Sequence, residues 1–158
     1  MNPKFEFYQR TIKIWNELCE LHKKLHEITS EEYISLLSSD VEKVEESIKE
    51  KELVIKKITN IDEKRNLLLK DINTSFNLKI TNFFELNDFF INLEFEKRNK
   101  HLNKFNQILK QLIQNIQKQN KTNQLFINKA IINLDKIKNA GTSNKNYSLY
   151  NNNGALKK

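Results

Sequence analysis

Apolar residues recur at alternating steps of four and three along most of the chain, the rhythm of helices packed side by side at a shallow angle. The first series is Ile14, Leu18, Leu21, Leu25 and Ile28, extending back to Phe7 and forward to Leu36 and Leu37. Ser38-Ser39-Asp40 interrupts it with residues that favour helix N-caps, and Glu42 and Glu45 follow in the next turn. A second series runs Val41, Val44, Ile48, Lys51, Ile55, Ile58, Asp62, Arg65, Leu69, Ile72 and Phe76. Lys51, Asp62 and Arg65 stand where apolar residues are expected. Long basic stems can cover apolar surface there, or the charges can set the register of the pairing. The third series is Leu109, Ile113, Ile116, Asn120, Asn123, Ile127, Ala130, Leu134 and Ile137, with asparagine at two successive core positions. These spacings predict helices over about 4–38, 40–80 and 88–138. At ~1.5 Å per residue the third would be roughly 75 Å long, so part of it overhangs its neighbours or bends.

The punctuation agrees. The chain has 2 glycines and 1 proline in 158 residues, the proline being Pro3, so nothing before Gly141 forces a helix to stop. Sandwiches, barrels and βαβ folds need many more turn residues. The expectation is an all-α fold: an elongated antiparallel bundle of three to four long helices with coiled-coil-like packing. Residues 1–141 would form a single helical-bundle domain. Gly141 is placed for a helix C-cap, and 142–158, polar and Asn-rich, reads as a flexible C-terminal tail. Six of the ten phenylalanines fall within 76–95, interrupted by Asn82, Asn87 and Asp88. The chain is expected to reverse there, with the rings either plugging one end of the bundle or docking a partner.

Charge changes the picture in one respect. Residues 1–79 carry 14 basic and 15 acidic side chains, whereas 97–158 carry 13 basic ones and a single acid, Asp135. A basic half suits nucleic acid or acidic protein partners. However, its lysines are spread along the helix and Arg98 is the only arginine, so a solvated cationic face explains them better than base readout. No apolar run exceeds three residues, far short of the ~20 that cross a bilayer. The N-terminus lacks the apolar stretch of a signal peptide, and the lone Cys19 suits a reducing compartment. A cytoplasmic location is expected, and the sequons at Asn73, Asn120 and Asn146 then carry no meaning.

Chemistry is sparse. Cys19, His22 and His26 lie on one helical stripe with Trp15, Thr29 and Tyr33 but offer no fourth ligand, and a half-exposed polar flank accounts for them better than a metal site. Pairs such as Glu31-Glu32 and Glu45-Glu46 read as helix-surface charges. There is no phosphate-binding loop, dinucleotide fingerprint or nucleophile elbow. Neither an enzyme nor a cofactor is expected.

Three pieces in order along the chain carry a resemblance. Glu50-Lys51 precedes Arg65 on the second helix, Asn120, Asn123 and Leu125 lie late on the third, and the tail has Leu149-Tyr150 followed by Gly154. Together they resemble the FlgN family of cytosolic flagellar export chaperones. The resemblance implies a chaperone that binds the C-terminal helices of the hook-associated (hook–filament junction) proteins. It would prevent their premature assembly and deliver them to the type III export apparatus, meeting the membrane only through that apparatus and taking no small-molecule substrate. It further implies a partner-binding set of Asn120, Asn123, Leu125, Ile127, Ile131, Leu134, Ile137, Leu149, Tyr150 and Gly154, with Lys51 and Arg65 setting register. The stripe from Leu125 to Ile137 is expected to be the exposed, overhanging part of the third helix. The alternative is a basic coiled-coil scaffold or nucleic-acid-binding helical protein that uses the same seam to dimerise. If the seam asparagines only set register, replacing both with leucine should stabilise the fold and loosen its specificity.

Overall fold

The computed structural model describes residues 2–96 and 100–138, with side chains to residue 133. Four helices follow one another: α1 Pro3–Leu37, α2 Val41–Phe76, α3 Phe83–Asn92 and α4 His101–Lys138. Among the described residues there is no strand, and the fold is an all-helical bundle. The expected third helix is in fact two, a short α3 and a long α4.

α1 and α2 stop without glycine, and Gly141, expected to cap the last helix, lies outside the described residues. At the end of α1, Ser39 takes a left-handed φ of 53° and the Asp40 N–H donates to Ser35 O at 3.0 Å. Asn77, φ also 53°, ends α2 in the same way, with the Leu78 N–H on Asn73 O at 2.9 Å. Both have the long-range bond that closes helices through a left-handed residue, a conformation that asparagine tolerates better than most. Asp40 then caps α2, its Oδ1 accepting from the Lys43 N–H at 3.2 Å. Asn82 caps α3 by accepting from the Glu85 N–H at 2.9 Å, and the Glu85 carboxylate reaches back to the Thr81 N–H.

The chain divides into two compact units. The first comprises 1–23 with 55–112, the second 24–54 with 113–158. In the first, α1 and α2 run antiparallel, with Phe7 against Phe76 and Arg10 paired to Asp71. α4 enters parallel to α1, where Trp15 Nε1 donates to Asn106 Oδ1 at 3.3 Å and the Cys19 thiol to Phe105 O. The core is Trp15, Leu18, Leu68, Ile72, Leu86, Phe90 and Leu102. The phenylalanines of α3 and its flanks fill the space between the long helices: Phe90 meets Tyr8 at 5.1 Å, Phe89 meets Phe76 at 5.7 Å and Phe83 meets Trp15 at 5.9 Å. The connection before α3 is pinned by Asn73, whose amide exchanges two 2.9 Å bonds with the backbone of Ile80.

A second buried anchor sits before α4. Glu96 is 1% exposed, and its carboxylate accepts from the Tyr8 hydroxyl and from the N–H groups of Leu102 (2.7 Å) and Asn103 (3.4 Å). The anion thus satisfies free donors at the positive end of α4. Burial, and then the bond to Glu96, hold the Tyr8 phenol well above its ordinary pKa.

Candidate functional site

The second unit is built around polar groups. The seven-residue steps Leu18, Leu25, Glu32 place Glu32 on the inward stripe of α1, and its side chain is 3% exposed. Glu32 is therefore not the surface charge that its acidic neighbour suggests. On α2, Lys51 is equally buried, and its Nζ donates to Glu32 Oε1 at 3.0 Å and to Asn120 Oδ1 at 2.7 Å. On α4, Asn123 Nδ2 donates to Glu32 Oε1 at 2.7 Å and to Thr29 O at 2.9 Å, while its Oδ1 accepts from Gln119 at 2.9 Å. Burial lowers the Lys51 pKa, and Glu32 opposes the shift. Asn120 Nδ2 is buried with no hydrogen-bond partner among the described residues.

Lys51 and Asn123, apart in sequence, thus converge on the Glu32 carboxylate, and Asn120 joins them by accepting from the Lys51 ammonium. Each of the three helices contributes a polar seam residue, and the set is mutually satisfied except for that one amide. The chemistry offered is not catalytic: a compensated ion pair with neutral donors fixes which helix faces meet. Replacing both asparagines with leucine would remove hydrogen bonds from a buried ammonium and a buried carboxylate. With these bonds in place the condition for a stabilising replacement is not met, and a loss of stability is the expected outcome. Arg65 is outside this cluster. It is about half exposed, bonded to Asp62 at 3.0 Å, and its guanidinium lies 5.8 Å from the centre of the Trp15 ring.

The partner-binding residues expected on α4 separate into groups. Asn120 and Asn123 are buried in the cluster. Leu125 is 62% exposed, Ile131 is half-buried and Ile132, which was not singled out, is 53% exposed. Ile127 is 6% exposed and faces inward, a correction to its expected place on an open stripe. The reason is that α1 still covers α4 at this level, Tyr33 packing edge-on against Phe126 at 5.6 Å. α1 ends four residues later at Leu37, while α4 continues twelve residues beyond Phe126 to Lys138. The side chains of Leu134 and Ile137, and the whole of Leu149, Tyr150 and Gly154, lie outside the described residues. Around the α1–α2 turn, Ile34, Leu37 and Val41 are also more than half exposed.

The stripe of Cys19, His22 and His26 divides: Trp15, Cys19 and Thr29 are core residues, a correction to the polar-flank expectation, whereas His22, His26 and Tyr33 are half-exposed as expected. Burial raises the Cys19 pKa and lowers that of His22, whose Nδ1 donates to Leu18 O at 2.7 Å. No cluster of three potential metal ligands occurs among the described residues, and no described helix is long and apolar enough to cross a membrane.

Compared with models of known families, residues 1–158 match the family described as FlgN protein. No curated protein and no solved structure matches the chain.

Proposed function

The chain belongs to the FlgN family, a family of flagellar export chaperones, and from that premise we propose that it binds the C-terminal helices of hook-associated proteins in the cytoplasm. Bound there, these segments are kept from assembling until the type III export apparatus receives them. The observation that carries this reading is the length of α4. The helix runs on to Lys138 past the level where α1 ends, with Leu125 and Ile132 open to solvent. Ile131, Leu134 and Ile137 continue the apolar series in the sequence at steps of three. A terminal helix of a partner would lay its apolar face along these turns, the helix-in-groove mode of recognition. Four or five buried side chains at ~1.5–3 kcal/mol each give roughly 6–15 kcal/mol gross, reduced by lost freedom on association to micromolar or nanomolar binding. Leu149, Tyr150 and Gly154 would supply a further contact to the substrate or the export apparatus. No step requires catalysis or a cofactor.

The test is a pull-down with hook-associated proteins that compares the full chain, Leu134→Asp and a chain ending at Lys138. The proposal expects strong retention by the full chain and loss with Leu134→Asp. Undiminished binding by Leu134→Asp removes α4 from the mechanism. No binding by the full chain favours the scaffold or nucleic-acid alternative.

A further inference from the structure

In the second unit, where the turn joins α1 to α2, lies a cleft of about 320 Å³. Four carboxylates line it, Glu31, Asp40, Glu46 and Glu50, against one ammonium, Lys43. Lys43 pairs with Asp40 at 3.8 Å, and Glu31, Glu46 and Glu50 have no ion-pair partner among the described residues. The excess extends beyond the lining. Residues 31–50 hold seven acidic side chains and two lysines, Lys43 and Lys49. One of the seven, Glu32, is buried against Lys51, which leaves six acids to the two lysines. Ser47 is a second, independent observation. It lines the cleft at 7% exposed, and its hydroxyl has no hydrogen-bond partner among the described residues. Ser35 and Ser38, which also line the cleft, instead place their hydroxyls on the carbonyls four residues back, at 3.0 and 2.8 Å.

We propose that this cleft is a docking site for a basic amphipathic peptide segment of a partner protein, which inserts an arginine toward Ser47 among Glu31, Glu46 and Glu50 and rests its apolar side chains on Ile34. The guanidinium has five N–H donors in a rigid fork, so it can bind a carboxylate through two of them and still donate to the Ser47 hydroxyl. A cavity of about 150 Å³ already holds benzene, so the arginine stem and head fit the space. A divalent cation fits less well, because it needs several oxygens converging on one point and no group of three potential ligands does so among the described residues. A polyamine would match the charge but leave the apolar surface uncovered. Ile34 lines the cleft, Leu37 and Val41 bracket the turn, and all three are more than half exposed. Nucleic acid and anionic lipid are repelled by the carboxylates. No α4 residue lines the cleft, so the site is separate from the terminal-helix reading and does not depend on it.

The full-length protein is titrated into the rhodamine-labelled, amidated peptide Leu-Arg-Lys-Leu-Ala-Arg-Leu, followed by fluorescence anisotropy. The comparison ligands are the same peptide with glutamate at its basic positions, the same peptide with alanine for leucine, and spermine as competitor. The proposal expects saturable binding of the first peptide that weakens with added salt, no binding of the glutamate peptide and at least fivefold weaker binding of the alanine peptide. Glu46→Gln and Glu50→Gln should each weaken binding by about 2–5-fold, the range of exposed ion pairs. The exposed Glu63 on α2 lies outside the cleft, and Glu63→Gln should leave binding unchanged. Ser47→Ala should weaken binding by about 2–10-fold at an unchanged melting temperature, because the hydroxyl bonds to nothing described in the free protein. If that variant melts lower, the glutamate variants decide. No binding of the basic peptide, equal binding of the alanine peptide, or an effect of Glu63→Gln as large as that of Glu46→Gln would overturn the proposal. Spermine binding as tightly as the peptide would assign the cleft to polyamines, and a dimer in light scattering that Glu46→Gln dissociates would assign it to a second copy of the chain; either overturns it.

Discussion

Lys51→Met isolates the energetics of the second unit. In the native protein the Glu32 carboxylate, 3% exposed, accepts the Lys51 ammonium at 3.0 Å and the Asn123 amide at 2.7 Å. The methionine preserves most of the lysine's apolar stem and volume, so packing changes little. It leaves the carboxylate buried with neutral donors only, and Asn120 Oδ1 loses the Lys51 ammonium. Removing one member of a buried ion pair costs about 3–5 kcal/mol, and an orphaned amide oxygen adds about 1 kcal/mol. With an m-value of about 2 kcal/mol/M, the urea midpoint should fall by roughly 2–3 M. Adding Glu32→Met removes the stranded charge and should recover about 2–3 kcal/mol, because an apolar pair in place of a buried ionic one is often nearly neutral. The assay is urea unfolding by far-ultraviolet circular dichroism of the wild type, both single variants and the double. A single-variant loss below about 1 kcal/mol, or a double variant no more stable than Lys51→Met, would refute the description of this cluster as a compensated buried pair.

Other consequences are open to measurement. Asn123→Leu should destabilise by about 2–3 kcal/mol, since it withdraws hydrogen bonds from the buried Glu32 and from Thr29 O, and a raised melting temperature would contradict the hydrogen-bond assignment. Because burial lowers the His22 pKa below its unfolded value near 6.5, the unfolded chain binds the extra proton more readily. Stability from this site is full above about pH 6.5 and lost as pH falls through the folded pKa, so His22→Gln should flatten the acid side of the stability profile. Glu96→Gln should cost about 1–2 kcal/mol by weakening the anchor at the start of α4. In an alkaline absorbance titration of the four tyrosines, Tyr8 should ionise last, and normal titration of all four would contradict its bond to Glu96.

The helical bundle was legible because the apolar rhythm on α2 and α4 survives its polar interruptions. Ile58, Ile72, Leu109, Ile116, Asn120 and Asn123 are all buried as their spacing requires. On α1 the run of leucines and isoleucines marked only part of the core: Leu18, Leu25 and Ile28 are buried, Ile14 and Leu21 are half-buried, and the buried surface also takes in Tyr8, Thr11, Trp15, Cys19, Thr29 and Glu32. Threonine hides its hydroxyl on the helix backbone, Thr11 on Phe7 O and Thr29 on Leu25 O, and so packs as an apolar residue. Glu32 becomes readable as a core residue only once Lys51 is placed opposite it. The break between α3 and α4 carried no glycine or proline signal. It is made by Glu94 and Lys100 in left-handed conformations at φ 70° and 49°, and it is held by tertiary burial of Phe90 and Glu96. The turn at 38–40 was visible in Ser38-Ser39-Asp40 because capping chemistry is local.

Hydrogen exchange tests the central claim, that the end of α4 receives the terminal helix of an export partner, most directly. Backbone exchange of the full-length chain is followed alone and with a saturating C-terminal segment of a hook-associated protein. The account predicts new protection across 125–138, the stretch of α4 that carries the exposed Leu125 and Ile132 and runs on past the end of α1, with little change at the already buried Asn120 and Asn123. Binding that leaves 125–138 unprotected, or that protects only residues elsewhere in the chain, would contradict it.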